Sequence, residues 1–218
     1  MRTDQVLTAA QLQRYYDLTP EEIDRHFSCR RTMFRPLGNS SKVETTTFCM
    51  LDVHDLLWIP SWQLSHLAST AELRHLLSIP RADWVLEGSE GEGQRPDALA
   101  TLQGYRLAVE HDAGYARTRV REKLDAFRMY DYTVWGTLSH TRKSHLEARY
   151  SDRVLFVHTN ITSPERPAHP LDLTQTILAQ LAAAPAAGAP ASVARLDRAP
   201  PTPPAGSSDR SRFSSRST

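Results

Sequence analysis

The chain has 218 residues, of which 40% are hydrophobic and 23% charged, and its formal net charge is +1. This is the composition of a soluble globular protein with room for one core domain and a small accessory one, and the near-neutral charge neither favours nor excludes a polyanionic partner. No apolar run is long enough to span a bilayer, and Asp4 and Gln5 stand where a secretory signal would need an apolar stretch, so the expected compartment is the cytoplasm.

The first forty residues read as two short helices. Thr8 and Gln11 make a capping box ahead of Leu12, Tyr15 and Tyr16. Thr19-Pro20-Glu21-Glu22 is a second start signal, with the N-cap at Thr19, Pro at the first helical position and Glu at the third. Two helices in succession suit a helix-turn-helix. Arg30, Arg31, Arg35 and Lys42 follow as a basic cluster suited to DNA phosphates. Pro36 to Asn39 breaks the chain, and Val43 to Leu51 is β-branched and aromatic enough to be the strand of a wing. Cys29 and Cys49, the only cysteines, form no Cys-x-x-Cys motif and suggest no disulfide framework. Residues 1–59 are therefore expected to be a small winged-helix-like domain, with Pro60 marking its end.

Trp62 to Ile79 carries helical apolar spacing. Glu72 on that helix reads first as a solvated charge and second as an additional metal ligand. Trp84-Val85-Leu86 is a short strand, and residues 88–94, rich in Gly and Glu, a mobile loop. Ala98 to Leu102 and Tyr105 to His111 read as two strands joined by Gln103-Gly104. Tyr115 to Asp131 is an amphipathic helix with a stripe of Ala116, Val120, Leu124 and Phe127. Thr133 to Tyr150 reads as a helical insertion. Val154 to Val157 is a continuous apolar run, expected to be a central buried strand parallel to an earlier one. Leu171 to Ala184 is a last helix. Residues 185–218, with the run Pro200-Pro201-Thr202-Pro203-Pro204, are expected to be a disordered tail. The order helix, three strands, helix, strand over residues 60–184 is an α/β sandwich of αβββαβ order. His140 and His145 read as surface residues, and the nine histidines show no zinc-ligand spacing.

The hairpin register concentrates chemistry. If Leu102 faces Tyr105, counting back places Asp97 opposite Glu110, with Cβ atoms about 5 Å apart. Asp112 falls on the same face as Glu110, two residues on. Three carboxylates so placed raise one another's pKa unless a cation compensates, and Mg²⁺ or Mn²⁺ suits oxygen ligands best. Asp97, Glu110 and Asp112 are thus the candidate metal ligands. Lys123 lies about 60° from the apolar stripe of its helix at 100° per residue, so its ammonium can reach the carboxylates and steady charge in a transition state. Asp97, Glu110 and Lys123 are the candidate catalytic residues. Arg117, Arg121 and Arg128 lie on the other flank of the helix as candidate phosphate contacts. The charges segregate, with eleven acids against four bases from Glu44 to Asp112 and nine bases against five acids from Gly114 to Arg153. Metal-dependent DNA enzymes need that juxtaposition, and ordinary charge complementation within one domain explains it equally well.

Arg95-Pro96-Asp97, a hairpin, Glu110-x-Asp112, then Lys123 and Tyr130, with His66 and Trp84 upstream, resembles the replication-relaxation family over roughly residues 5 to 160. The resemblance implies a winged-helix part joined to a PD-(D/E)XK-like domain, and a role in plasmid replication, DNA mobilisation or their regulation in mobile elements. The nuclease pattern sets a lysine two residues after the second acid. Here Asp112 holds that position, and Lys123 would be its substitute, supplied from the helix. The expected partner is double-stranded DNA, with no membrane contact, and a homodimer is compatible with this reading. The leading expectation is a DNA-binding protein. The alternatives are an active Mg²⁺- or Mn²⁺-dependent endonuclease and a winged-helix transcriptional regulator, and without catalysis no cofactor is expected.

Overall fold

The computed structural model describes residues 4–51, 53–86, 94–150, 153–165 and 172–183. The tail expected at 185–218 and most of the loop expected at 88–94 lie outside these residues. Residues 1–184 form one compact unit. Among the described residues there are seven α-helices and two sheets, one of three strands and one of five. No described helix is long and apolar enough to cross a membrane.

Two local signals start the chain as expected. Strand β1 (Leu7–Thr8) runs into helix α1 (Ala9–Tyr16), whose capping box joins Thr8 and Gln11. Helix α2 (Pro20–His26) opens on the equivalent box of Thr19 and Glu22. Each box satisfies two N–H groups that a helix start leaves unpaired. The chain then enters β2 (Ser28–Phe34) directly, so Arg30 and Arg31 lie on a strand. Strand β3 (Glu44–Met50) returns antiparallel to β2 and also pairs with β1, giving the order β1-β3-β2. Helix α3 (Val53–Trp58) follows.

Helix α4 (Ser61–Leu76) serves both sheets. Its Leu64 and Ala68 pack with Phe34 and Phe48 of the first and with Val6 just before it. Its Leu73 packs with Val109, Val134 and Val157 of the second. The second sheet has the order β4 (Trp84–Leu86), β5 (Ala98–Leu102), β6 (Tyr105–His111), β7 (Tyr132–Thr137), β8 (Val154–His158). β4, β5 and β6 are antiparallel, while β6, β7 and β8 are parallel. The parallel crossovers are α5 (Arg117–Phe127) and α6 (His140–Glu147). A last helix, α7 (Leu173–Ala183), packs with α4 on one face through Leu173 and Ile177. The other face is covered by α5 and α6, where Val120, Phe127 and Leu146 meet Ala108, Trp135 and Phe156.

Two expectations change. The segment from Thr133, read as a helical insertion, begins with β7, whose six residues are all buried. Strand β8, expected to be central, is at the sheet edge. β7 lies inside the sheet, between β6 and β8. At its Gly136 an added Cβ would lie 2.8 Å from Leu73 Cδ1, so only glycine allows α4 this close.

The candidate site at the β5–β6 hairpin

The hairpin turns as the sequence proposes. Gln103 and Gly104 both have positive φ, 49° and 88°, as a two-residue type I′ turn requires. Leu102 pairs with Tyr105, and the register runs back to Ala98 opposite Val109. Asp97 is the next residue out, beyond the ladder, and its Oδ2 accepts the His111 N–H at 2.6 Å. Along β6, Leu107 and Val109 enter the core on the α4 side, and Ala108 enters the core on the α5 side. Strand alternation therefore turns Glu110 towards α5 and His111 towards α4.

Lys123 reaches the hairpin from α5. Its Nζ lies 2.7 Å from Glu110 Oε1 and donates to the Arg95 carbonyl at 3.2 Å. The ammonium sits over the rings of Tyr115 and Phe127, at 5.4 and 5.6 Å from their centroids. Glu110 is fully buried and Lys123 only 7% exposed. Glu-x-Asp on a strand is often a solvated face; here Glu110 and Asp112 are both fully buried. Burial pushes the Glu110 carboxyl up to about 8, with the Asp97 charge adding to the rise and Lys123 opposing it.

Asp97 has a different cation. His66, on α4, places Nε2 3.1 Å from Asp97 Oδ1. Burial acts to raise the Asp97 carboxyl, but His66, the His111 N–H and Lys123 outweigh it and hold it below its ordinary value. Burial likewise acts to lower His66, and its contact with Asp97 and the Glu110 charge raise it instead. The ring of His111 meets His66 edge to face at 5.5 Å. Burial first, then His66, lowers His111 to about 3.

Asp112 does not join this group. Its Oδ1 accepts the N–H groups of Gly114 and Tyr115, and its Oδ2 accepts Arg142 Nε at 2.8 Å. Arg142 also donates to the Tyr115 carbonyl at 2.7 Å, tying α6 to the chain that leaves β6. The expected three-carboxylate metal set is therefore not assembled. Each acid has its own protein cation: His66 for Asp97, Lys123 for Glu110, Arg142 for Asp112. Among the described residues no group of three or more His, Cys, Asp and Glu side chains is arranged to hold a metal. His66, named in the sequence only as part of the resemblance, and Arg142 had no acid assigned to them, because nothing local links them to acids about thirty residues away.

The other candidate residues are dispersed. Arg117 and Arg121 on α5 and Arg128 at its C-cap are exposed, and Arg121 and Arg128 face Asp125 at 3.9 and 3.4 Å. Arg31 and Arg35 are exposed. Lys42 is exposed beside Glu44, at 2.6 Å. Arg30 is otherwise employed, its Nη1 donating to the carbonyls of Leu56 and Ile59 at 3.0 and 2.8 Å, where α3 ends. Glu72 is neither solvated nor near the hairpin acids. It is buried against Arg14 at 2.5 Å, with Gln11 and Tyr15 also donating to it.

No family model, curated protein or solved structure matches the chain.

Proposed function

We propose that the protein is a DNA-binding protein of the replication-relaxation type, acting in plasmid replication, DNA mobilisation or their regulation. In this reading residues 60–184 are a PD-(D/E)XK nuclease-like domain and residues 1–59 a winged-helix-like one. The observation that carries it is the meeting of Asp97, Glu110 and Lys123 at the open end of the β5–β6 hairpin. The order α4-β4-β5-β6-α5-β7 around that hairpin supports it, being the αβββαβ order with β7 as the last strand. Exposed Arg117, Arg121 and Arg128 on and just after α5, with Arg31, Arg35 and Lys42 on or beside the first sheet, supply cations for phosphates. Arg30 is left out of that set because its guanidinium caps α3. Function drawn from fold likeness is analogy, and the site carries the rest.

A second reading, an active endonuclease, is favoured by the lysine. Mg²⁺ is commonly held by one or two carboxylates, with water and substrate phosphate completing its shell. Asp97 and Glu110 are of that chemistry and Asp112 is not available. A bound ion would polarise the phosphate and activate water, while Lys123 would balance charge gathering on the phosphate.

One experiment separates the two. Supercoiled plasmid is incubated with the protein and Mg²⁺ or Mn²⁺, and retention of the plasmid is followed against salt. Salt-dependent retention without nicking is the outcome expected of the binding protein. Nicking that Asp97→Ala abolishes while retention persists would establish the endonuclease. Retention that does not fall with salt would reject both, because phosphate contacts must release counterions.

A further inference from the structure

We propose that Cys29 and Cys49 form a redox modification site, closing under peroxide to a reversible disulfide across the first sheet. The two residues are direct partners in the β2–β3 register. Their sulfur atoms lie 3.2 Å apart. Opposite residues of an antiparallel pair have Cα atoms about 4.5 to 5.5 Å apart, within the span of about 4.4 to 6.8 Å that a disulfide bridges. Closure therefore requires rotation of side chains and no movement of strands.

The two thiols differ in the way a peroxide-reacting pair requires. Cys29 is exposed, on a strand at the edge of its sheet. Cys49 is wholly buried among Leu7, Leu12, Ile23 and Ala71. Burial, and then the neighbouring Cys29, push the Cys49 thiol up, so it stays protonated until a partner sulfur is oxidised beside it. Exposure decides which of the two sulfurs meets an oxidant, and here that is Cys29.

The chemistry balances with hydrogen peroxide as oxidant. Cys29 gives up its proton and its thiolate attacks one peroxide oxygen; the O–O bond breaks, Cys29 becomes a sulfenic acid, and the departing hydroxide takes up that proton as water. Cys49 sulfur then attacks the Cys29 sulfur, the S–O bond breaks, and the Cys49 proton goes to the departing hydroxide as water. Two thiols have lost two electrons, and one peroxide has become two waters. A dithiol reductant reverses the step by exchange, becoming a disulfide itself. The bridge would enclose the whole β2–β3 hairpin, including Arg31, Arg35 and Lys42, in one covalent ring.

The test uses the full chain and one equivalent of hydrogen peroxide. The expected product is a monomer lighter by two hydrogens, with no free thiol and a digest peptide joining Cys29 to Cys49. Dithiothreitol should restore both thiols. In Cys49→Ser, Cys29 should instead accumulate as a sulfenic acid that dimedone traps. In Cys29→Ser, Cys49 should survive the same treatment as a thiol. Wild-type protein that remains unoxidised, carries Cys29 to the sulfinic acid with Cys49 intact, or links two chains would overturn the proposal. The wild-type mass decides the matter even if a variant fails to fold.

Discussion

Asp4→Asn tests how α4, the helix that brings His66 to Asp97, is fastened to the start of the chain. The Asp4 carboxylate is 1% exposed and takes a two-pronged bond from Arg74 of α4, Nε to Oδ1 and Nη2 to Oδ2, both at 2.6 Å. His75 Nε2 lies 3.4 Å away. Burial acts to raise this carboxyl, yet His75 and Arg74 outweigh it and bring it down from 3.8 to about 2. At about 1.4 kcal/mol per unit, that difference is worth roughly 2–3 kcal/mol. The folded value is depressed, so the stabilisation is present above the unfolded value and is lost as pH falls from about 4 towards 2. Urea unfolding of wild type and Asp4→Asn at pH 7, 5, 4 and 3 measures it. The wild type should be more stable by about 2–3 kcal/mol at pH 7 and 5, the gap narrowing steadily at pH 4 and 3. A gap of the same size at pH 3 as at pH 7 would refute this, since the loss would then owe nothing to the carboxylate charge.

Glu110→Gln should act with the opposite sign. The folded carboxyl is raised from 4.5 to about 8, so its contribution is full below pH 4.5 and is lost as pH rises to 8. In chelator-containing buffer the variant should gain on wild type by up to about 4–5 kcal/mol between pH 4.5 and 8. A stability difference that does not change with pH would count against a protonated Glu110. Gly136→Ala should cost about 1–3 kcal/mol, because its Cβ would press on Leu73 of α4 at 2.8 Å. A melting temperature equal to wild type would mean that α4 is free to retreat.

Short-range geometry was legible without the fold. Both capping boxes were readable because donor and acceptor lie three residues apart. The Gln103-Gly104 turn, and with it the strand register, followed from two residues and the period of a strand. Lys123 meeting Glu110 followed from the 100° step of a helix. β7 was also within reach, since Tyr132-Thr133-Val134-Trp135 is aromatic and β-branched and bounded by Asp131 and Gly136.

What the sequence determined by itself is this set of local elements and the pairing of Asp97 with the end of β6. Tertiary structure alone decided how their charges are compensated. His66, Lys123 and Arg142 each contact one acid that the sequence would have left to a metal. It also turned Arg30 into a helix cap, buried Glu72 against Arg14, placed β8 at the edge and set Cys29 beside Cys49. The physical reason is common to all of these. A capping box or a tight turn depends on dihedral angles of adjacent residues. The partner of a buried charge or thiol depends on which elements become neighbours, and that is decided by packing among segments far apart in the chain.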